Sequence, residues 1–522
     1  MYFFVDIEMK KLTFLTRTSI LLFFLFGVDK ALAFLRSIIV TRQFQLSATY
    51  DAFNSANNLP DLLYALISGG TLAMALIPVL SETLAKKDRR ALWDVFSKVA
   101  NIFFLTAATL AALIAVFAQP IVESQIGIVP GFTAAQHTLV ASLMRLNLVA
   151  TLIFSISGLV MSGLQANQHF LFPALAPIFY NFGQIFGALV LAPTKPYSLG
   201  PITLPAWGLG VHGLVYGVII GAVLHLAIQI PGLVKYHFRW TPSISIKDEN
   251  VRKVLGLVGP RLVTMFFIQA TFIARDNLAS RLPGAGAISA LTLGWMIMQV
   301  PETLIGTAIG TALLPTISEH AARSDWEKFR STVERAVRVL VALCLPVAAI
   351  LAAVMHPLIR LVFRLDDTGT SLVTWTVRVY LLALAGESVL EVAARAFYAR
   401  KDALRPLVAS FLNTTIFIGG GAVILLRWPE WGAPGIALLE MAFTIEAIIL
   451  LIWLNRLLPK KVTLGSSLWR GLAAAAISGG VAYGLALWLP FSAVLSALLA
   501  LPVGTAVAVP FIWPEIRLLF RL

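Results

Sequence analysis

The sequence predicts an all-α polytopic membrane protein of about fourteen transmembrane helices, arranged as two parallel six-helix lobes plus two C-terminal helices. Composition, the spacing of apolar runs and an internal repeat carry this reading. Of the 522 residues, 58% are hydrophobic and 13% are charged, against roughly 45–50% and 25% in a soluble domain. With a mean hydropathy of +0.85, polar surface is too scarce to cover a soluble particle of this size. Soluble enzymes and disordered chains are excluded, and a single cysteine, Cys344, excludes a disulfide scaffold.

About 20 apolar residues make roughly 30 Å of helix, one membrane crossing. Fourteen such runs occur, near 18–41, 55–81, 93–118, 136–164, 172–192, 207–229, 254–275, 285–314, 332–355, 371–398, 406–426, 433–455, 468–488 and 492–512. With the N-terminus in the cytoplasm, 24 of the 40 Lys and Arg fall in cytoplasmic segments and 6 on the opposite side. This is the positive-inside pattern. It predicts that both termini are cytoplasmic, and it accounts for most of the net charge of +14 without a nucleic-acid partner. Lys10, Lys11 and Arg17, the apolar stretch from Ser19 to Val28 and Ala31-Leu32-Ala33 have the outline of a cleaved leader. Asp29 and Lys30 interrupt that outline, and removing the segment would break the charge alternation, so it reads as the first span.

The stretch Ala75-Leu76-Ile77-Pro78-Val79-Leu80-Ser81-Glu82 recurs as Ala312-Leu313-Leu314-Pro315-Thr316-Ile317-Ser318-Glu319, an offset of 237. The same offset links Asp88 to Asp325 and Pro120 to Pro357. Spans 1–6 and 7–12 therefore read as two copies of one unit. An even number of spans per copy makes the repeats parallel, related by an axis along the membrane normal. The expected divisions are 1–235, 250–460 and 461–522. Two parallel lobes form a transporter plan, with a cavity between them that opens to one side and then the other.

Charge inside a membrane is costly and marks a candidate site. In the first span Asp29 and Arg36 are seven residues apart, two helical turns, and share a face, with Lys30 beside it. Asp51, Asn54, Asn58 and Asp61 form a polar stripe opening the second span. The seventh span carries Arg261, near the cytoplasmic edge, and Arg275-Asp276. The tenth carries Glu387, Glu391 and Arg395 on one face. A Glu391–Arg395 structural pair is the favoured reading there, and proton or cation coupling through Asp29, Glu387 or Glu391 is the alternative. Arg145, Arg378, Glu302, Glu440 and Glu446 are further isolated cases. Basic residues facing a cavity suit an anionic cargo, and arginine's fork suits phosphate.

Other motifs carry little. Gly208-Leu209-Gly210-Val211-His212-Gly213 matches a dinucleotide fingerprint but follows no strand, and Gly213, Gly217 and Gly221 suit close helix packing instead. There is no P-loop and no metal-binding motif, so neither cofactor nor metal is expected. Asn413-Thr414-Thr415 fits a glycosylation sequon but falls within a span.

The stretch Leu35-Arg36, Tyr50-Asp51-Ala52-Phe53, Asn58-Leu59-Pro60-Asp61-Leu62-Leu63, Gly69-Gly70 and Ala75 to Glu82 resembles the N-terminal signature of the MurJ/MviN family. Gly310 to Pro315 and Ala396-Phe397-Tyr398-Ala399-Arg400-Lys401-Asp402 resemble its later motifs, and the likeness runs over about 17–455. These are bacterial lipid II flippases of the multidrug/oligosaccharidyl-lipid/polysaccharide exporter superfamily. The resemblance implies fourteen spans and a cationic cavity that carries lipid-linked peptidoglycan precursor, with its pyrophosphate, from the inner to the outer leaflet. It matches Arg36 and Lys30 to basic cavity positions and Asp51 to the family's aspartate. Three departures stand out. Tyr64 replaces an arginine, Gly69 a glutamate, and Trp295, Met296 and Gln299 replace the D-R-x-x-E pattern. Arg261 or Arg275 then stands in for the lost arginines, or the cargo is another lipid.

The sequence thus points to a transporter, not an enzyme, in the bacterial cytoplasmic membrane. The expected partners are an anionic lipid-linked glycan precursor, membrane lipids and cell-wall synthesis machinery. The alternatives are an exporter of a different undecaprenyl-linked oligosaccharide, an amphiphile antiporter of the same superfamily, and a non-transporting membrane scaffold. An enzyme acting on polyprenyl phosphates would show an aspartate-rich or histidine constellation, which this sequence lacks.

Overall fold

The computed structural model describes residues 14–67, 70–199 and 201–519. Lys10, Lys11, Gly69 and Arg521 lie outside the described residues, as do the side chains of Arg17 and Arg261. Most described residues are helical, as the apolar composition demands: a backbone in lipid must satisfy its own hydrogen bonds. Among the described residues ten helices are long and apolar enough to cross a membrane, or eleven if a bent pair, Glu249–Gly259 and Leu262–Ser280, is one span. The candidates that fall short are instructive. The first span, α1 (Phe14–Phe44), and the tenth carry internal charges. The expected 55–81 run opens on a turn at 56–57, and its residues 68 and 69 lie outside the described ones.

The chain divides into two compact units, Met1–Phe44 with Ser55–Ser124 and Thr133–Gln269, and Gln45–Asn54 with Gln125–Phe132 and Ala270–Leu522. In the first unit α1 is followed by α2 (Ala48–Ser55), whose residues up to Asn54 count with the second unit, then α3 (Asn58–Ile67) and α4 (Gly70–Lys86). Next come α5 (Arg89–Val116), α6 (Ala118–Glu123), α7 (Ala134–Ala166) and α8 (Leu171–Phe186). A π-helical turn, Gly187–Leu191, extends α8. A short antiparallel pair, β1 (Tyr197–Leu199) and β2 (Ile202–Leu204), connects it to α9 (Val211–Ala227) and α10 (Ile230–Lys235). The core gathers Leu76, Leu80, Trp93, Phe96, Leu159, Leu164 and Val254. The loop after α10 is pinned to α5: Trp93 Nε1 donates to the Tyr236 carbonyl at 2.9 Å, and Lys98 Nζ lies 2.7 Å from Asp94 and 3.0 Å from Asp248.

Helices α8 and α9 approach through small residues. A Cβ built on Gly183 would lie 2.3 Å from the Gly221 nitrogen, and one on Gly187 would lie 2.6 Å from the Gly217 Cα. The four-residue glycine spacing thus sets the backbone separation, where no side chain fits.

The second unit contains most of α11 (Glu249–Ser280), then α12 (Ala287–Glu302), a π-turn at Thr303–Thr307, α13 (Ala308–Ala322) and α14 (Trp326–Phe363). It continues with α15 (Asp367–Ala399), α16 (Leu404–Arg427), α17 (Gly432–Ala437) and α18 (Met441–Leu457). Its core joins Ile317, Phe329, Val333, Phe397 and Leu450. The last helices, α19 (Ser467–Trp488) and α20 (Ala493–Leu519), pack on α14, with Ile350 and Val354 against Ala482, Ala497 and Ala500. Glu515, fully buried in α20, accepts from Ser467 Oγ and Arg470 Nη2, each at 2.7 Å.

The internal repeat has the same local structure twice. Both octapeptides lie in a short helix with an internal proline, α4 with Pro78 and α13 with Pro315. Glu82 pairs with Lys86 and Glu319 with Arg323, each at i,i+4. Asp88 and Asp325 then cap the long helices α5 and α14, accepting from Ala91 N at 2.7 Å and Lys328 N at 3.1 Å. An aspartate at this position takes up an otherwise unpaired N–H. The copies diverge further on. The first breaks before α6, and the second continues through Pro357 as one 38-residue helix.

Candidate functional site

In the first unit the charged face of α1 meets α8. Arg36 Nη1 donates to Gln184 Oε1. Asn181 Nδ2 donates to Asp29 Oδ1 at 2.8 Å. The seven-residue spacing on α1 therefore finds partners three residues apart on α8, and both Asn181 and Gln184 are buried. Lys30 is exposed and Asp29 half-buried. Tyr180, also on α8, is within electrostatic reach of Arg36, Asp61 and Tyr64.

Tyr64 stands where the resembled signature has arginine, and it joins an aromatic cluster. Its ring meets Phe154 edge-on at 5.6 Å, and Phe154 meets Tyr180 at 4.8 Å and His225 at 5.2 Å. Edge-to-face packing of this kind favours rings over a guanidinium at that spot. Behind it, the Ser157 hydroxyl lies 2.6 Å from His225 Nδ1 and accepts from Gln229 Nε2 at 2.7 Å. The Asp61 carbonyl accepts from Gln269 Nε2 at 3.4 Å. Asn58 Nδ2 donates to the Ser55 carbonyl at 3.2 Å, and Asn147 Nδ2 to Asn57 Oδ1 at 2.8 Å. The cluster offers a guanidinium, an ammonium, two carboxylates and ring faces, a chemistry suited to an anionic group carrying sugars. Arg261 lies on α11, with its side chain outside the described ones.

The other candidates are in the second unit. Asp51 is buried, and its carboxylate accepts from Gly286 N at 2.6 Å, Ser289 N at 2.8 Å and Ser289 Oγ at 2.6 Å. It caps α12 from far away in sequence. Asn54 Nδ2 donates to Ser289 Oγ at 3.1 Å. Gly286 precedes α12 with φ +92°, and a Cβ there would lie 2.6 Å from Leu46 Cβ, so glycine is required. Arg275 is buried: Nε donates to Asp276 Oδ1 at 3.0 Å, Nη2 to Thr292 Oγ1 at 3.4 Å, and the guanidinium lies over the Phe272 ring. Glu391 pairs with Arg395 along α15. Glu387, one turn earlier, accepts from Gln299 Nε2 at 3.5 Å. Glu446 accepts from Ser410 Oγ at 2.7 Å and Asn413 Nδ2 at 2.8 Å.

The sequence reading missed Tyr180, Asn181 and Gln184. Their signal was available: an Asn and a Gln three residues apart in an otherwise apolar span serve as interhelical hydrogen-bond partners.

A family model described as lipid II flippase MurJ matches residues 40–501. The chain belongs to the MurJ family. The lipid II flippase MurJ of Burkholderia cenocepacia is 26% identical over 406 residues, covering 73% of this chain and 74% of the relative. The probable lipid II flippase MurJ of Rhizobium meliloti is 24% identical over 472 residues, covering 89% and 85%. A solved structure of a lipid II flippase MurJ in an inward closed conformation superposes with a TM-score of 0.75 at 20% identity, covering 96% of this chain and 100% of that one. A multidrug resistance MATE family transporter in its inward-facing conformation gives 0.66 at 15% identity, covering 82% and 94%. These structures share the fold. Against the family pattern, Tyr64 has an aromatic environment and Gln299 donates to a carboxylate of its own unit.

Proposed function

We propose that this chain is a flippase that carries lipid II across the bacterial cytoplasmic membrane by alternating access of lobes 1–235 and 250–460, with both termini cytoplasmic. The match to the lipid II flippase family over residues 40–501 carries the reading. In this account Lys30 and Arg36 receive the pyrophosphate, with Arg261 as a further cation. Asn58 and Asp61 meet the polar head, and the rings around Tyr64 offer faces to its sugars. Asp51, Asn54 and Arg275 act indirectly, by holding α11 and α12 in place.

The test is transfer of lipid II in proteoliposomes, read by a membrane-impermeant probe of the outer leaflet. Transfer well above protein-free vesicles is expected. Arg36→Ala should slow it about ten- to a hundredfold, since a charge-assisted bond is worth about 1.5–3 kcal/mol. Transfer no faster than in protein-free vesicles would overturn the proposal. A second reading, another undecaprenyl-linked glycan as cargo, is favoured by Tyr64 and Gln299 in place of charged family residues. If it holds, Tyr64→Arg should raise lipid II transfer rather than lower it.

A further inference from the structure

In the second unit, the start of α16 and the end of α18 lie together. Deeper in the seam between them, Glu446 of α18 accepts from Ser410 Oγ at 2.7 Å and Asn413 Nδ2 at 2.8 Å, which ties the two helices. Toward the start of α16 and the end of α18 they leave a cleft of about 330 Å³, lined by Leu404, Arg405, Val408, Trp453, Arg456 and Leu457. That volume falls in the range of small-molecule sites, about 300–1,000 Å³.

Positive charge gathers at this end. The segments 400–405 and 456–461 carry six Lys and Arg against one acid, Asp402. Asp402 accepts from Arg405 Nη1, and the Arg405 guanidinium lies over the Phe397 ring at 5.9 Å. Among the described residues, Arg405 Nε and Nη2 and the whole Arg456 guanidinium have no hydrogen-bond partner. Further along, both helices present apolar faces. Leu404, Val408 and Phe411 form an exposed stripe on α16. Ile445, Ile448 and Ile452 form another on α18, and the next turn of that stripe is Arg456. Trp453 lies in the cleft between stripe and charge, the level at which tryptophan collects at a membrane interface.

We propose that this cleft binds the phosphate of an anionic phospholipid from the surrounding leaflet, with the acyl chains along the exposed stripes of α16 and α18. By the positive-inside pattern this is the cytoplasmic leaflet. Arginine forks give charge-assisted bonds to phosphate oxygens, and basic pockets between spans on that side suit anionic head groups. A free phosphate would satisfy the arginines and leave the apolar stripes uncovered. A phosphatidylcholine would bring a quaternary ammonium to a mouth that already carries six basic residues. The site requires nothing of the cargo and stands whether or not the chain is a flippase.

Phospholipids with brominated acyl chains quench a tryptophan that they touch. Comparing the full chain in phosphatidylcholine bilayers with its Trp453→Phe variant isolates the Trp453 signal among the 12 tryptophans. Brominated phosphatidylglycerol is expected to quench that signal at a much lower lipid fraction than brominated phosphatidylcholine. A basic residue facing an anionic head group is worth about a fivefold change in binding. Arg405→Gln and Arg456→Gln, each checked for unchanged elution on size-exclusion chromatography, should therefore each weaken the preference by about fivefold. Arg427→Gln, at the far end of α16, should leave it unchanged. In the wild type alone, high salt should reduce the preference. Equal quenching by the two lipids, a preference that survives in both cleft variants, or one indifferent to salt would overturn the proposal and leave ordinary contact with bulk lipid. Relief of the phosphatidylglycerol quenching by inorganic phosphate at equal ionic strength would overturn it too, by making the ligand a soluble anion.

Discussion

Replacing Asp51 with alanine should damage the fold before it damages recognition of any cargo. The carboxylate holds the start of α12 through the two backbone N–H groups of Gly286 and Ser289 and the Ser289 hydroxyl, at 2.6–2.8 Å. Asp51 and Ser289 are both buried, at 3% and 0% exposure, so water cannot replace the lost acceptor. An orphaned buried donor costs about 1–3 kcal/mol, and two backbone donors cost about 2–6 kcal/mol together. An exposed cap would cost only about 0.5–2 kcal/mol. In a unit of this size the loss corresponds to a melting point lower by at least about 3–4 °C. Thermal unfolding of purified Asp51→Ala and Asp51→Asn, followed by fluorescence-detected size exclusion, measures it. Asp51→Asn keeps an acceptor oxygen and should recover part of the loss. An alanine variant that melts with the wild type while losing transport would refute the capping role and make Asp51 a direct contact of the cargo.

The glycine contact between α8 and α9 predicts that Gly183→Ala costs about 1–3 kcal/mol by overpacking and that Gly217→Leu prevents stable folding of the first unit, both read by thermal melting. Asn181→Ala removes the 2.8 Å donor to Asp29 and should lower stability by about 1–3 kcal/mol, and Asn181→Asp should do worse by placing like charges together. At the start of α15, bonds from the Thr368 hydroxyl at 2.6 Å and the Gly369 N–H at 2.9 Å hold the Asp366 carboxyl below its ordinary pKa. That cap stabilises the ionised form, so its contribution is full above the ordinary carboxylate range and is lost as pH falls through the lowered value. Melting curves from about pH 6 down to about pH 3 should show Asp366→Asn less acid-sensitive than the wild type.

What could be read in the sequence follows from what each signal measures. The offset of 237 located two aspartates that both prove to be helix caps, because a cap is set by a few neighbouring residues. The seven-residue spacing placed Asp29 and Arg36 on one face, because helical periodicity fixes faces. Gly213, Gly217 and Gly221 announced close packing for the same reason. The partners of those faces were harder. Asn181 and Gln184 are neutral and barely disturb hydropathy, so a search for charge passed over them. The job of Asp51 was hidden by distance: its donors lie 235 and 238 residues away, and no local pattern encodes that. Hydropathy also averages across helix breaks. It ran the second candidate span across the turn at 56–57 and gave no hint of the π-turns at Gly187–Leu191 and Thr303–Thr307.

The central claim is most directly tested in a bacterium depleted of its own lipid II flippase, supplied with this chain or with its Arg36→Ala variant at equal membrane abundance. The account predicts growth with the wild-type chain, and failure or severe slowing with the variant. No growth with the wild-type chain, despite full membrane expression, would contradict it and leave another lipid-linked glycan as the cargo.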